Sequence, residues 1–189
     1  RGTDFHTGHN AVYHFRDLLV GAGPRNSGHI RFRRNLRLHI LKGIIPQITK
    51  ACPDATYVLV ANPVDIMTYV FTKISGVPEN RVIGSGTILD TARLRSRISE
   101  YYAVSQKNVH AYVLGEHGDS SFVPWSLANI SNVPIANFKD ALQTKEVYPD
   151  FVMEEAEDYM RKSGARIIQR KGATFYAVSI SVCHICKCI

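Results

Sequence analysis

A chain of 189 residues that is 45% hydrophobic, 21% charged and 10% aromatic has apolar surface for one domain and a fraction, which excludes global disorder. The formal charge of +7 sits wholly in residues 1–50, with nine Lys/Arg against two Asp/Glu, and is densest at Arg31, Arg33, Arg34 and Arg37. No apolar run approaches the roughly 18–20 residues that cross a bilayer, and the first ten residues lack the apolar stretch of a secretory signal.

In chain order, residues 1–16 show no period, 18–23 (LLVGAG) predict a short strand and 24–30 (PRNSGHI) a loop. Leu36, Ile40, Leu41, Ile44, Ile45 and Ile48 recur at helical spacing and predict a helix from about 35 to 51, with a kink or break at Pro46. Residues 57–61 (YVLVA) predict a strand apolar on both faces, as inside a parallel sheet. A helix over 64–75, a short strand entering a turn at 82–86, and a helix over 88–102 with Thr87 as N-cap follow. Then come a strand at 109–114, a polar loop at 115–125, a strand at 127–135, a long helix at 148–171 and an apolar segment at 173–186. Strands alternating with helices predict an α/β fold.

Three places could carry chemistry. His117 lies between glycines in a loop after a strand, and imidazole titrates near neutrality, so it can give or take a proton. Asp90 and Arg93 share one helix face at i, i+3. The carboxylate could orient an imidazole, and the guanidinium could grip a substrate carboxylate with two parallel bonds. The plain alternative is a solvated ion pair. Asn62 ends a strand, where ligands of open α/β sheets collect, although Asn-Pro is also ordinary turn chemistry. Neither His6, His9 and His14 nor Cys183, His184, Cys186 and Cys188 complete a four-ligand pattern, so no metal is expected. The cysteine usage is that of a reducing, cytoplasmic compartment rather than a disulfide scaffold.

Five motifs occur in order: Ala61-Asn62-Pro63-Val64-Asp65, Arg81-Val82-Ile83-Gly84-Ser85-Gly86-Thr87, Leu89-Asp90-Thr91-Ala92-Arg93, Gly115-Glu116-His117-Gly118-Asp119-Ser120 and Lys171-Gly172-Ala173-Thr174. Together they resemble the lactate/malate dehydrogenase family, from about residue 28 to 182. Glu116 and the run Val123-Pro124-Trp125-Ser126 favour the lactate branch.

The resemblance implies NAD-dependent interconversion of pyruvate and L-lactate. His117 would be the general acid/base, Asp90 its orienting carboxylate and Arg93 the clamp on the substrate carboxylate. Asn62 would bond the reacting oxygen, Thr174 would line the substrate pocket, and Arg31 would polarise the carbonyl from a mobile loop. Val60, Ala61, Asn62 and Ser85 would border the nicotinamide. The implied architecture is a partial Rossmann-like parallel sheet, its first half missing, over 1–85, followed by an α/β substrate domain over 86–189. The partners implied are a small-molecule substrate and further copies of the chain, as a dimer or tetramer. No membrane is expected. No nucleic acid is expected either, because no recognised binding fold or stacking platform accompanies the arginines.

The chain also departs from the family. It has no G-x-G-x-x-G, and Gly21-Ala22-Gly23 runs into Pro24. It starts without Met, as a fragment or shortened product would. The family's specificity position falls near Arg25 or Asn26, where arginine would favour a malate-like dicarboxylic substrate. Tyr112 stands where forms activated by fructose bisphosphate carry a histidine, so that regulation is not expected, although Arg95 is present. A non-catalytic remnant that folds or oligomerises without holding NAD is the competing reading.

Overall fold

In the computed structural model the backbone is described for residues 27–142 and 151–189, and side chains from Leu36 onward, apart from the same internal gap. The predictions for 1–23, including the strand at 18–23, lie outside the described residues. The chain divides into two compact units, Arg1–Gly84 and Ser85–Ile189.

In the first unit, α1 spans Ser27–Ala51. It begins eight residues before the predicted start, so the loop expected at 27–30 is helix, and Arg31 lies on it rather than on a loop. The helix also continues through Pro46 instead of breaking there. Packing explains this: Ile45 is buried against Phe71 and Val77, with Leu41 and Ile48 beside it, so the turns on both sides of the proline are held from outside. Strand β1 (Tyr57–Leu59) pairs in parallel with β2 (Val82–Gly84), Val58 opposite Ile83, and α2 (Val64–Ser75) is the crossover. Val64, Met67 and Phe71 recur at i, i+3 and i+7 as the buried stripe of α2. The helix lies so close to β2 that a Cβ on Gly84 would meet Thr68 Oγ1 at 2.6 Å. The residues of β1 are half-buried rather than fully buried, since only one neighbouring strand is found among the described residues.

The Tyr57 ring packs on Phe71, and its hydroxyl lies 2.6 Å from the carbonyl oxygen of Cys52. Burial foremost, and then repulsion from Cys52, push this phenol above its ordinary value of 10.0, against the attraction of Arg81. A proton held more tightly in the folded state stabilises it below the unfolded pKa, and that stability is lost as pH rises through the folded value. Urea midpoints followed by circular dichroism are therefore expected to fall as pH rises above about 10. Tyr57→Phe should flatten that decline, and an unchanged slope would contradict the assignment.

In the second unit, α3 (Ile88–Tyr102) carries the organisation. Asp90, Leu94, Ile98 and Tyr102, spaced by four, form one buried row. The row packs on Val109, Ala111, Val113, Ile130, Phe138 and Met160. Tyr102 stacks edge-on against Phe138, and Phe151 meets Tyr101, Tyr102 and Trp125 with ring centroids 5.1–5.8 Å apart.

The expected strand at 109–114 forms a ladder only over β3 (Val109–His110). The expected single strand at 127–135 is a hairpin, β4 (Asn129–Ile130) and β5 (Val133–Pro134), giving an antiparallel order β3-β4-β5. Its two-residue turn places Ser131 and Asn132 at φ 50° and 67°, the left-handed pair that suits a tight hairpin. Helices α4 (Ile135–Ala141), α5 (Met153–Lys171) and α6 (Tyr176–Cys188) complete the unit. Acidic Glu154 and Glu155 open α5, and basic Arg170 and Lys171 close it, as the helix dipole favours.

Candidate active site

Asp90 sits in the first turn of α3, at the head of the buried row. A carboxylate there is favoured by the helix N-terminus, but burial demands partners. It has two. Its Oδ2 lies 2.5 Å from Nδ1 of His117, and its Oδ1 lies 3.3 Å from Nη1 of Arg93, one turn on. The Asp90 side chain is 7% exposed, that of Arg93 14% and that of His117 28%, so exposure rises from the carboxylate outward to the imidazole. An Asp oxygen on Nδ1 fixes that nitrogen as the donor and leaves proton exchange to Nε2. Only Nη1 of Arg93 is engaged among the described residues, and Gly164 of α5 lies beside the guanidinium, where a Cβ would sit in ordinary contact at 3.7 Å.

The loop that presents His117 is closed at its base by a reciprocal pair of backbone hydrogen bonds between Leu114 and Phe122, at 2.9 and 3.0 Å. Gly115 (φ 88°) and Gly118 (φ 150°) adopt conformations that side chains resist, so the glycines on either side of Glu116-His117 are required by the turn itself. Inside the loop, buried Ser121 donates its hydroxyl to the carbonyl of Gly118 at 2.8 Å. From outside, Arg161 of α5 donates to the carbonyl of Ser121 at 2.7 Å. Glu157 holds that arginine at 2.7 Å and also accepts from the Trp125 indole at 2.7 Å. Sequence reading missed this brace. Its only trace is an i, i+4 Glu–Arg pair, which says nothing of where the pair points.

Two family models match, the NAD binding domain of lactate/malate dehydrogenase over residues 11–84 and the alpha/beta C-terminal domain of lactate/malate dehydrogenase over 87–189. The chain belongs to the lactate/malate dehydrogenase family. Relatives within it include an L-lactate dehydrogenase of Moorella thermoacetica, 45% identical over 79% of this chain and 47% of its own. Another, from Clostridium botulinum, is 43% identical over 91% of this chain and 54% of its own. A solved lactate dehydrogenase from a Medee basin deep-sea metagenome library superposes with a TM-score of 0.76 at 39% identity, covering 88% of this chain and 52% of that one. The chain thus spans about half the length of the relatives it matches.

Within that family frame, the second unit brings His117, Asp90 and Arg93 together. Thr174 lies half-buried in the turn between α5 and α6, with no hydrogen bond from its hydroxyl among the described residues. Val60, Ala61 and Asn62 belong to the first unit, directly after β1, and Ser85 directly follows β2. The carboxyl ends of parallel strands are where such sheets bind ligands. No glycine-rich pyrophosphate turn exists in the sequence. The Asn62–Pro63 bond is cis, and the Asn62 carbonyl accepts from Arg37 at 2.6 Å, so one arginine of the basic cluster is spent inside the protein. The side chain of Arg31, and residues Arg25, Asn26, His6, His9 and His14, lie outside the described residues. Among the described residues no group of three or more His, Cys, Asp or Glu could hold a metal. No described helix is long and apolar enough to cross a membrane.

Proposed function

We propose that this chain carries the substrate-side chemistry of an NAD-dependent L-lactate dehydrogenase. The observation behind it is the shared carboxylate, with Asp90 holding His117 through one oxygen and Arg93 through the other. In this reading residues 1–85 hold the nicotinamide side of an NAD-binding domain, and 86–189 form the catalytic domain. The protein works in the cytoplasm as a dimer or tetramer.

Arg93 pairs its guanidinium with the carboxylate of pyruvate, which fixes the substrate's orientation. The protonated ring of His117 donates from Nε2 to the 2-oxo oxygen as that oxygen gains charge. Asp90 compensates the imidazolium and keeps Nδ1 as a donor, as buried carboxylates do for catalytic imidazoles. When bound, NADH supplies a hydride to C2, and L-lactate results. Asn62 and Arg31 stabilise the developing charge on the same oxygen, and Thr174 borders the substrate. Val60, Ala61, Asn62 and Ser85 would hold the nicotinamide end of the cofactor.

A second reading has one observation in its favour, the missing G-x-G-x-x-G. In it the chain binds the 2-oxo acid but holds NADH too weakly to turn over. Pyruvate-dependent loss of NADH absorbance at saturating cofactor, followed by fluorescence titration of NADH, separates the two. Turnover supports the first reading. Pyruvate binding without NADH binding supports the second, and binding of neither contradicts both.

A further inference from the structure

Beside its buried row, α3 carries another. Thr87, Thr91 and Arg95 stand at i, i+4 and i+8, stacked on one side of the helix. All three are bonded to the backbone of one short extended segment. Arg95 Nε donates to the carbonyl of Ala111 at 2.9 Å, and the Val113 amide donates to Thr91 Oγ1 at 2.9 Å. Thr87 Oγ1 donates to the carbonyl of Val113 at 2.6 Å. Thr87 was expected to cap its own helix, yet its hydroxyl makes no capping bond and is used here instead.

The segment needs these partners. Ala111 and Val113 are each 1% exposed, and backbone groups buried with them cannot turn to water. The β3 ladder has already ended at His110, so no strand supplies the bonds. Side chains of a helix replace the missing neighbour. From Val113 the chain passes through Leu114, bridged to Phe122, into Gly115 and then His117. The residue that meets His117, Asp90, lies between Thr87 and Thr91 on the same helical turns.

We propose that Thr91 and Thr87 are positioning residues, whose grip on Val113 sets the point from which the loop departs and so holds the His117 ring on Asp90. One end of one helix then fixes both partners of the contact: the carboxylate directly, the imidazole through the strand that leads to it. An error of about 1 Å at Val113 would pass into a loop only four residues long before it reaches the ring, a displacement that typically costs about 10²-fold in rate. The proposal rests on His117 being the proton donor, and it is tested in a way that does not.

The proton between His117 Nδ1 and Asp90 should give a resonance far downfield of the amides in the NMR spectrum of the unliganded chain. Thr91→Val keeps the side-chain shape but removes the acceptor. It is expected to broaden or erase that resonance and to lower kcat for pyruvate roughly 10- to 100-fold with little change in KM. Thr91→Ser should restore both. Ser99→Ala deletes a comparable bond at the far end of α3, from Ser99 Oγ to the carbonyl of Val104 at 2.8 Å. It should lower stability to a similar degree yet leave the resonance intact. If Thr91→Val does not fold, Thr87→Val removes the donor to Val113 and is read the same way. A resonance that survives in the folded variant, or that is absent from the unsubstituted protein, overturns the proposal. Because the resonance is read without substrate or cofactor, an absence of turnover would count against the dehydrogenase reading alone.

Discussion

Replacing His117 with Asn is expected to lower kcat for pyruvate reduction about 10³-fold, within the range that a positioned general acid supplies. The change is chosen to isolate the proton. Asn is similar in size to the proximal part of the imidazole, and its amide can still donate to Asp90 Oδ2, so the buried carboxylate is not left without a partner. Gly115 and Gly118 keep their left-handed turns whatever side chain stands between them. Pyruvate binding should change little, because the proposed mechanism assigns the substrate carboxylate to Arg93. Steady-state kinetics at saturating NADH check this. A loss confined to KM, or activity within tenfold of the original, would remove His117 from the chemistry.

Replacing Arg93 with Lys is expected to act on the other side of the ledger. An ammonium keeps the charge but cannot form two parallel bonds to a carboxylate. A charge-assisted hydrogen bond of this kind contributes up to about 3 kcal/mol, so pyruvate affinity should fall about 10²-fold. The diagnostic is discrimination. The preference for pyruvate over acetone, a methyl ketone without the carboxylate, should collapse, because the variant loses what distinguishes them. Competition between the two at fixed NADH measures it directly. Undiminished discrimination would show that Arg93 serves only Asp90.

These two residues were legible in the sequence, and it is instructive why. Asp90 and Arg93 share a helix whose bounds, about 88–102, were expected from Thr87 as N-cap and match the structure. His117 is bracketed by glycines that a turn requires. Helix α2 was legible from its stop at Gly76 and Pro78. What escaped is what long-range packing decides. The start of α1 at Ser27 lies in a stretch of loop composition, and its passage through Pro46 depends on Ile45, Phe71 and Val77 meeting from separate elements. The hairpin at Ser131 and Asn132 uses left-handed residues without a glycine to announce them. The apolar run 109–114 reads as a strand, but at Ala111 and Val113 its hydrogen bonds come from threonine and arginine side chains, which no alternation pattern encodes. The brace from Arg161 to Ser121 crosses forty residues and was equally hidden.

The convergence of these groups on a 2-oxo acid is tested most directly by a crystal structure of the chain with pyruvate bound. Both carboxylate oxygens are expected within hydrogen-bonding distance of the Arg93 guanidinium, and the 2-oxo oxygen on Nε2 of His117, with Nδ1 still on Asp90. Pyruvate seated elsewhere, or an imidazole turned away from Asp90 in its presence, would contradict the account.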